Sequence, residues 1–146
     1  MAGVVVLAGF LGLAFNWLMP QGIAFLPPEV AKPLWTTATP LQGRKLMAQG
    51  AALVDANNAG DYKKAHVKGA VNLYPKDFKL LFPLLKPQLA TAPAVLVYGR
   101  SLSRYPAASI AQLLKENGLP RVLVLPADLK ELAQAGYPMR QRRRTK

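Results

Sequence analysis

The chain predicts an α/β fold, a parallel β-sheet flanked by helices and preceded by one N-terminal transmembrane helix. Three observations lead there. After residue 50, short apolar strands alternate with segments of helical apolar spacing, the order expected of a parallel sheet covered on both faces. Glycines at 50, 118 and 136 follow three of the helical segments, where a helix stop belongs. The first 28 residues, Met1 to Pro28, contain no charged side chain.

Residues 3–19 are almost wholly apolar. Counted from Met1, 19 residues of helix span about 28 Å, close to the hydrocarbon thickness of a bilayer. Pro20 and Gly22 end that helix, and Trp17 near its end suits the interface. Gly3, Gly9 and Gly12 permit close approach of a second membrane helix. Residues 1–19 are therefore expected to form a transmembrane anchor. A cleaved signal peptide would show a basic start and a small-x-small cleavage site, and neither is evident. A buried core helix would be apolar on every face, unusual for a domain this small.

Residues 20–39 hold Pro20, Pro27, Pro28 and Pro33, with Pro40 following. They predict a semi-rigid stalk. Its Ile23, Phe25, Leu26, Leu34 and Trp35 need a surface to pack on, whether the domain, the headgroup region or a partner. A domain over residues 40–139 comes next. Thr39-Pro40 reads as an N-cap and first helical position, opening a helix over 40–49. Ala52–Asp55 is a short buried strand. Residues 57–68 are polar loop with a helical piece around Gly60–Lys64. Ala70–Leu73 is a second strand. Phe78, Leu81, Phe82 and Leu85 set a helix over 75–86, which Pro83 should kink or end. Ala94–Tyr98 is a central strand, Pro106–Asn117 a helix, Arg121–Leu125 a strand and Ala127–Ala135 a last helix. The basic tail is 140–146.

The chain has 146 residues, enough for one domain, with 19 Lys and Arg against 7 Asp and Glu, a formal charge of +12. All the basic residues lie from Lys32 onward. Few fall close to the anchor, but nothing basic holds the N-terminus in the cytoplasm. The expected topology is single-pass, with the soluble domain cytoplasmic. The chain has no cysteine, which is compatible with either compartment.

One run of residues is specific. Leu53-Val54-Asp55-Ala56 is followed by Asp61-Tyr62, then Ala65-His66-Val67-Lys68-Gly69-Ala70-Val71-Asn72-Leu73, and near the end by Gly136-Tyr137-Pro138. This resembles the rhodanese-like domain family over about residues 40–139. A hydrophobic segment before the domain also occurs in membrane-attached members. The resemblance implies a parallel sheet flanked by helices and an active loop after the strand Val95–Tyr98. In the family a cysteine opens that loop and holds a persulfide, which backbone N–H groups and a helix N-terminus stabilise. Here the loop aligns as Gly99-Arg100-Ser101-Leu102-Ser103-Arg104, with Gly99 at the cysteine position. Leu102 stands where glycine is common, Pro126-Ala127-Asp128 replaces a usual Gly-Gly-Trp, and Ala65 replaces a usual glycine. Arg104 fits a familiar arginine position. The departures cluster at the site while the scaffold positions hold.

The candidate residues follow. The vacant loop Gly99–Arg104 can bind an anion through Arg100 and Arg104, or be a solvated loop. Ser101 and Ser103 lack any visible activating base. The resemblance gives Asp55, His66 and Gly69 structural roles. His66 is the only histidine, and without cysteine or a carboxylate pair no metal site is expected. We read no cofactor. Arg140, Arg142, Arg143, Arg144 and Lys146 suit anionic lipid headgroups or an acidic protein partner. Nucleic acid ranks last, because no helix-turn-helix or RNA-binding signature accompanies the charge. The expected function is non-catalytic, as an accessory subunit of a larger membrane protein complex. The alternatives are an anion or sulfur-species sensor, and a sulfurtransferase relying on a partner's cysteine.

Overall fold

The structure, a computed structural model, describes residues 33–99 and 105–141. The expected anchor with Gly3, Gly9, Gly12 and Trp17, most of the stalk, the loop residues Arg100 to Arg104, and Arg142, Arg143, Arg144 and Lys146 lie outside the described residues. Among the described residues no helix is long and apolar enough to cross a membrane.

The elements run β1 (Thr36–Thr37), α1 (Pro40–Ala48), β2 (Ala52–Asp55), α2 (Ala59–Lys64), β3 (Ala65–Val67), β4 (Val71–Asn72), a 3-10 turn (Pro75–Asp77), α3 (Phe78–Thr91), β5 (Val95–Tyr98), α4 (Tyr105–Glu116), β6 (Val122–Val124), α5 (Leu129–Gln134) and β7 (Met139–Gln141). The main sheet has the order β1-β6-β5-β2-β4 and every pairing in it is parallel. The alternation read from the sequence is thus present, with β5 central.

Strand side chains alternate between faces with period two. Val54, Val95 and Val97 enter one apolar cluster with Phe78, Phe82 and Leu89 of α3 and Ile110 and Leu114 of α4. Leu53, Leu96 and Tyr98 enter the other with Leu132 of α5 and Tyr137, and Leu46 and Met47 of α1 pack against it. Both faces of the sheet are covered, which is why its central strands read as continuous apolar runs.

Local chemistry sets the helix ends. Thr39 makes a capping box with Gln42, with Pro40 at the first helical position. Asp128 does the same for α5 with Glu131. Gly50, Gly118 and Gly136 sit at φ of 90°, 92° and 84°, the left-handed conformation that ends a helix and that glycine adopts without a Cβ clash.

Four differences from the sequence reading stand out. Pro83 neither ends α3 nor opens a break in it: the helix continues past Pro83 and Pro87 to Thr91. Its N-terminal turn, 75–77, is 3-10 rather than α. Thr36–Thr37, placed in the stalk, pairs with β6 as an edge strand, and Ala38 is buried in the core. A second sheet was not foreseen: β3 pairs antiparallel with β7, setting His66 opposite Arg140. Arg140 therefore belongs to a strand and not to a free basic tail. The reason is common to the last three: two- and three-residue elements leave no periodicity to read.

Candidate functional site

The site is built at the carboxyl end of the sheet, where ligands bind in open α/β folds. The register places Asp55 at the end of β2 between Tyr98 of β5 and Asn72 of β4. Asp55 is fully buried. Its Oδ1 accepts the Asn57 N–H at 2.8 Å and its Oδ2 accepts the Tyr98 hydroxyl at 2.7 Å. The Tyr98 oxygen in turn accepts the Val67 N–H at 3.0 Å. The Asn72 side chain donates to the backbone carbonyls of Asp55, at 3.1 Å, and Asn57, at 2.7 Å. A carboxylate, a phenol and an amide thus tie β2, β3, β4 and β5 and the turn after β2 together.

The electrostatics follow from burial. Loss of hydration raises the Asp55 carboxyl above its ordinary value, partly offset by the hydrogen bonds from Asn57 and Tyr98. Burial, and then the adjacent Asp55 carboxyl, push the Tyr98 phenol well above its usual range. Burial followed by Asp55 raises Tyr62 as well. Among the described residues every buried side-chain nitrogen or oxygen has a hydrogen-bond partner. Both Asp55 oxygens are engaged within the fold, which makes it an organiser of the turn after β2 and of the end of β5 rather than a free base.

His66 lies in β3, half-buried. Its Nδ1 is 2.7 Å from the Tyr62 carbonyl and its ring stacks on Tyr62 at 3.9 Å. A carbonyl only accepts, so Nδ1 carries the proton. Tyr62 donates its own hydroxyl to the Ala70 carbonyl at 2.7 Å. Gly69 has φ 87° in the turn between β3 and β4, a backbone state that favours glycine. Gly69 borders a cleft of about 320 Å³ with Gly50, Ala51 and Ala52. That cleft lies at the start of β2, the opposite end of the strand from Asp55. His66 lies near enough to Asp55 to favour its charged form slightly, while its own Nδ1 is engaged by the Tyr62 carbonyl.

Gly99 follows β5 directly and is buried. It does not have a left-handed φ. A Cβ placed there would stand 3.6 Å from the Ala107 Cβ and backbone nitrogen and 3.8 Å from the Ala56 Cβ, ordinary contact distances. Among the described residues, neither backbone conformation nor crowding at Cβ demands glycine at this position. The position nevertheless has no nucleophile, and the chain has no cysteine to supply one.

Sequence reasoning missed Tyr98 as a site-organising residue. The available signal was a tyrosine ending an otherwise apolar buried strand, because a buried phenol needs a partner. It also missed the structural use of Tyr137. That hydroxyl donates to the Pro40 carbonyl at 2.8 Å, and burial pushes the phenol up to about 12.

The rhodanese-like domain model matches residues 39–135. A search of curated protein sequences gives no significant match. Among solved structures, the chain is similar to the Alr3790 protein from Anabaena sp., at 18% identity and TM-score 0.59, covering 71% of this chain and 91% of that one. It is similar to protein hp1203 from Helicobacter pylori at 18% identity and TM-score 0.57, covering 72% and 88%. It is also similar to a thiosulfate sulfurtransferase from Pseudomonas aeruginosa at 25% identity and TM-score 0.60, covering 73% of this chain but 20% of that much longer one. With its parallel sheet, its helices on both faces and a family match over two thirds of its length, this chain belongs to the rhodanese-like domain family.

Proposed function

We propose that this protein is a non-catalytic, membrane-anchored rhodanese-like protein that works by protein interaction, as an accessory subunit of a larger membrane protein complex. The observation behind this is the glycine at position 99 in a chain without cysteine. Persulfide transfer needs a thiolate at the head of the loop. The scaffold at the ends of β2, β4 and β5 is intact, with Asp55, Tyr98 and Asn72 engaged, so the fold is kept where the chemistry is not. Residues 1–19 supply the single-pass anchor, and the domain faces the cytoplasm. Residues 142–146, with Arg140, add a positive patch for the partner or the lipid.

Two measurements test the reading. Mild-detergent purification of the tagged native chain from its own membranes, followed by mass spectrometry, is expected to yield a stoichiometric set of membrane proteins. Elution as a lone monomer overturns the subunit role. The purified native chain is expected to show no thiosulfate:cyanide sulfurtransfer, and activity at the level of a cysteine-bearing relative would refute the non-catalytic reading. The likeness to the Pseudomonas sulfurtransferase gives one alternative a footing, in which a partner's cysteine completes the site. Sulfurtransfer that appears only with the co-purified partner, and is lost when that partner's thiols are blocked, establishes it.

A further inference from the structure

α3 places apolar residues on two sides. Phe78, Phe82 and Leu89 are buried against the sheet. Leu80 and Leu84 point the other way, 74% and 75% exposed, the two most exposed large apolar side chains among the described residues. Four residues apart, they are neighbours on the helix surface. The exposed Pro83 and Pro87 continue the same strip, and beside it a cleft of about 440 Å³ bounded by Phe78, Phe82, Pro83 and Leu113 adds apolar surface. An apolar strip of this kind, rimmed by polar groups, marks an interaction surface.

The rim has one dominant sign. Lys76, Lys79 and Lys86 are exposed around the strip. The Lys86 ammonium stands 5.8 Å from the Phe82 ring centroid, holding its charge beside the leucines. No acidic residue occurs between Phe78 and Lys115. Asp77 and Glu116 bound that stretch, and Glu116 accepts a hydrogen bond from the Gln112 side chain at 2.9 Å.

The way the chain enters the domain supplies an independent observation. The Leu34 N–H donates to Gln112 of α4 at 3.3 Å. Trp35 packs against the apolar cluster that α3 and α4 share. Leu34 and Trp35, near the start of the described domain, therefore lie on the α3–α4 layer, the layer that exposes Leu80 and Leu84. Leu34 itself, 54% exposed, adds to this side.

We propose that the outer face of α3 seats on an anionic lipid surface, with Leu80 and Leu84 in the boundary between headgroups and acyl chains and Lys76, Lys79 and Lys86 on the headgroup phosphates and carboxylates. The inference rests on the reading of residues 1–19 as a membrane anchor. Apolar side chains flanked by lysines are the pairing that interfacial helices use. The excess of lysines over the bounding Asp77, and the position of Leu34 and Trp35 on the same layer, favour a bilayer over an acidic protein helix.

The absence of cysteine makes the test direct. A Gln88→Cys substitution puts one label on the outer face of α3, one turn beyond Leu84, and leaves the leucines and lysines intact. Lys130→Cys on α5, which packs on the opposite face of the sheet, is the control. The full-length chain, labelled with an environment-sensitive fluorophore, is reconstituted into vesicles of phosphatidylcholine alone or with phosphatidylserine. Acrylamide, a neutral aqueous quencher, then reads exposure. The label at position 88 is expected to be protected in phosphatidylserine vesicles while the label at position 130 stays exposed. In the background Lys79→Gln, Lys86→Gln the docking equilibrium is expected to weaken roughly thirty-fold, at about 1 kcal/mol for each lysine near the surface. Equal quenching at position 88 in both vesicle types overturns the proposal. So does protection that requires a co-purified protein, which would make a protein the occupant. An alkaline carbonate wash separates the two levels of inference. A chain that stays in the vesicles with an exposed α3 label fails the docking alone. A chain that washes out fails the anchor reading, and the docking proposal falls with it.

Discussion

The hub around Asp55 and Tyr98 and the head of the loop at Gly99 are adjacent and both buried, yet they differ in what their side chains supply. Asp55 and Tyr98 are fully buried, satisfied on all sides and shared among four strands. Gly99, the next residue along from Tyr98, contributes no side chain at all. The hub is what a fold must keep in order to exist; the head of the loop is what a reaction must keep in order to run. A chain that retains the first without the second has kept a surface and a shape, and the proposed interaction role draws on those.

The comparison can be broken from the hub side, where the effects are largest. Asp55→Ala leaves the Asn57 N–H and the Tyr98 hydroxyl without their acceptor in the core. Equilibrium urea unfolding is expected to show a loss of about 3 kcal/mol, since each orphaned buried donor costs roughly 1–3 kcal/mol. A loss under 1 kcal/mol would mean that water replaces the carboxylate and that the hub is not buried as described. Tyr98→Phe deletes one donor and strands the Val67 N–H, for an expected loss of about 2 kcal/mol by the same measurement.

The pH dependence sharpens the comparison further. Burial raises the Asp55 carboxyl above its ordinary 3.8, so the folded state holds that proton more tightly than the unfolded chain. Its contribution is fully present below 3.8 and is lost as pH rises through the raised folded value. Relative to Asp55→Asn, the native protein is therefore expected to lose stability as pH climbs from 3.8 through that value, then to run parallel. A gap that widens in favour of the native protein over that range would show instead that the hydrogen bonds from Asn57 and Tyr98 outweigh desolvation.

The smallest effect is expected at the head of the loop. Gly99→Cys needs no left-handed backbone and, among the described residues, meets only ordinary contacts at Cβ. Its unfolding free energy is expected to lie within about 1 kcal/mol of native, because the side chain also narrows the unfolded ensemble. A loss of several kcal/mol would mean that the glycine is there for packing, and the contrast between the two regions would collapse.

Much of the fold was legible because it is written in long-lived local signals. The alternation of apolar strands with helical spacing, the Thr39-Pro40 start and the glycine stops at 50, 118 and 136 all act within a few residues of themselves. Pro83 misled because a proline forbids one hydrogen bond but not a helix whose apolar side is well buried, and Phe82 and Leu89 hold α3 on either side of it. The edge strand at 36–37 and the β3–β7 ribbon carried no local signal, since each exists only through a partner far along the chain.

The same division governs the site. Composition and residue order alone establish that the chain offers no thiolate, that the head of the loop is a glycine, and that the charge is concentrated after an uncharged start. These are matters of composition and order, which folding does not alter. It took the folded chain to bring Asp55 to Tyr98 across 43 residues, to turn His66 to the Tyr62 carbonyl instead of a reactive group, and to put Leu80 and Leu84 on the layer that carries Leu34 and Trp35. Those outcomes depend on strand order and register. Register is set by which faces can be buried together, a property of the whole sheet and not of any segment of it.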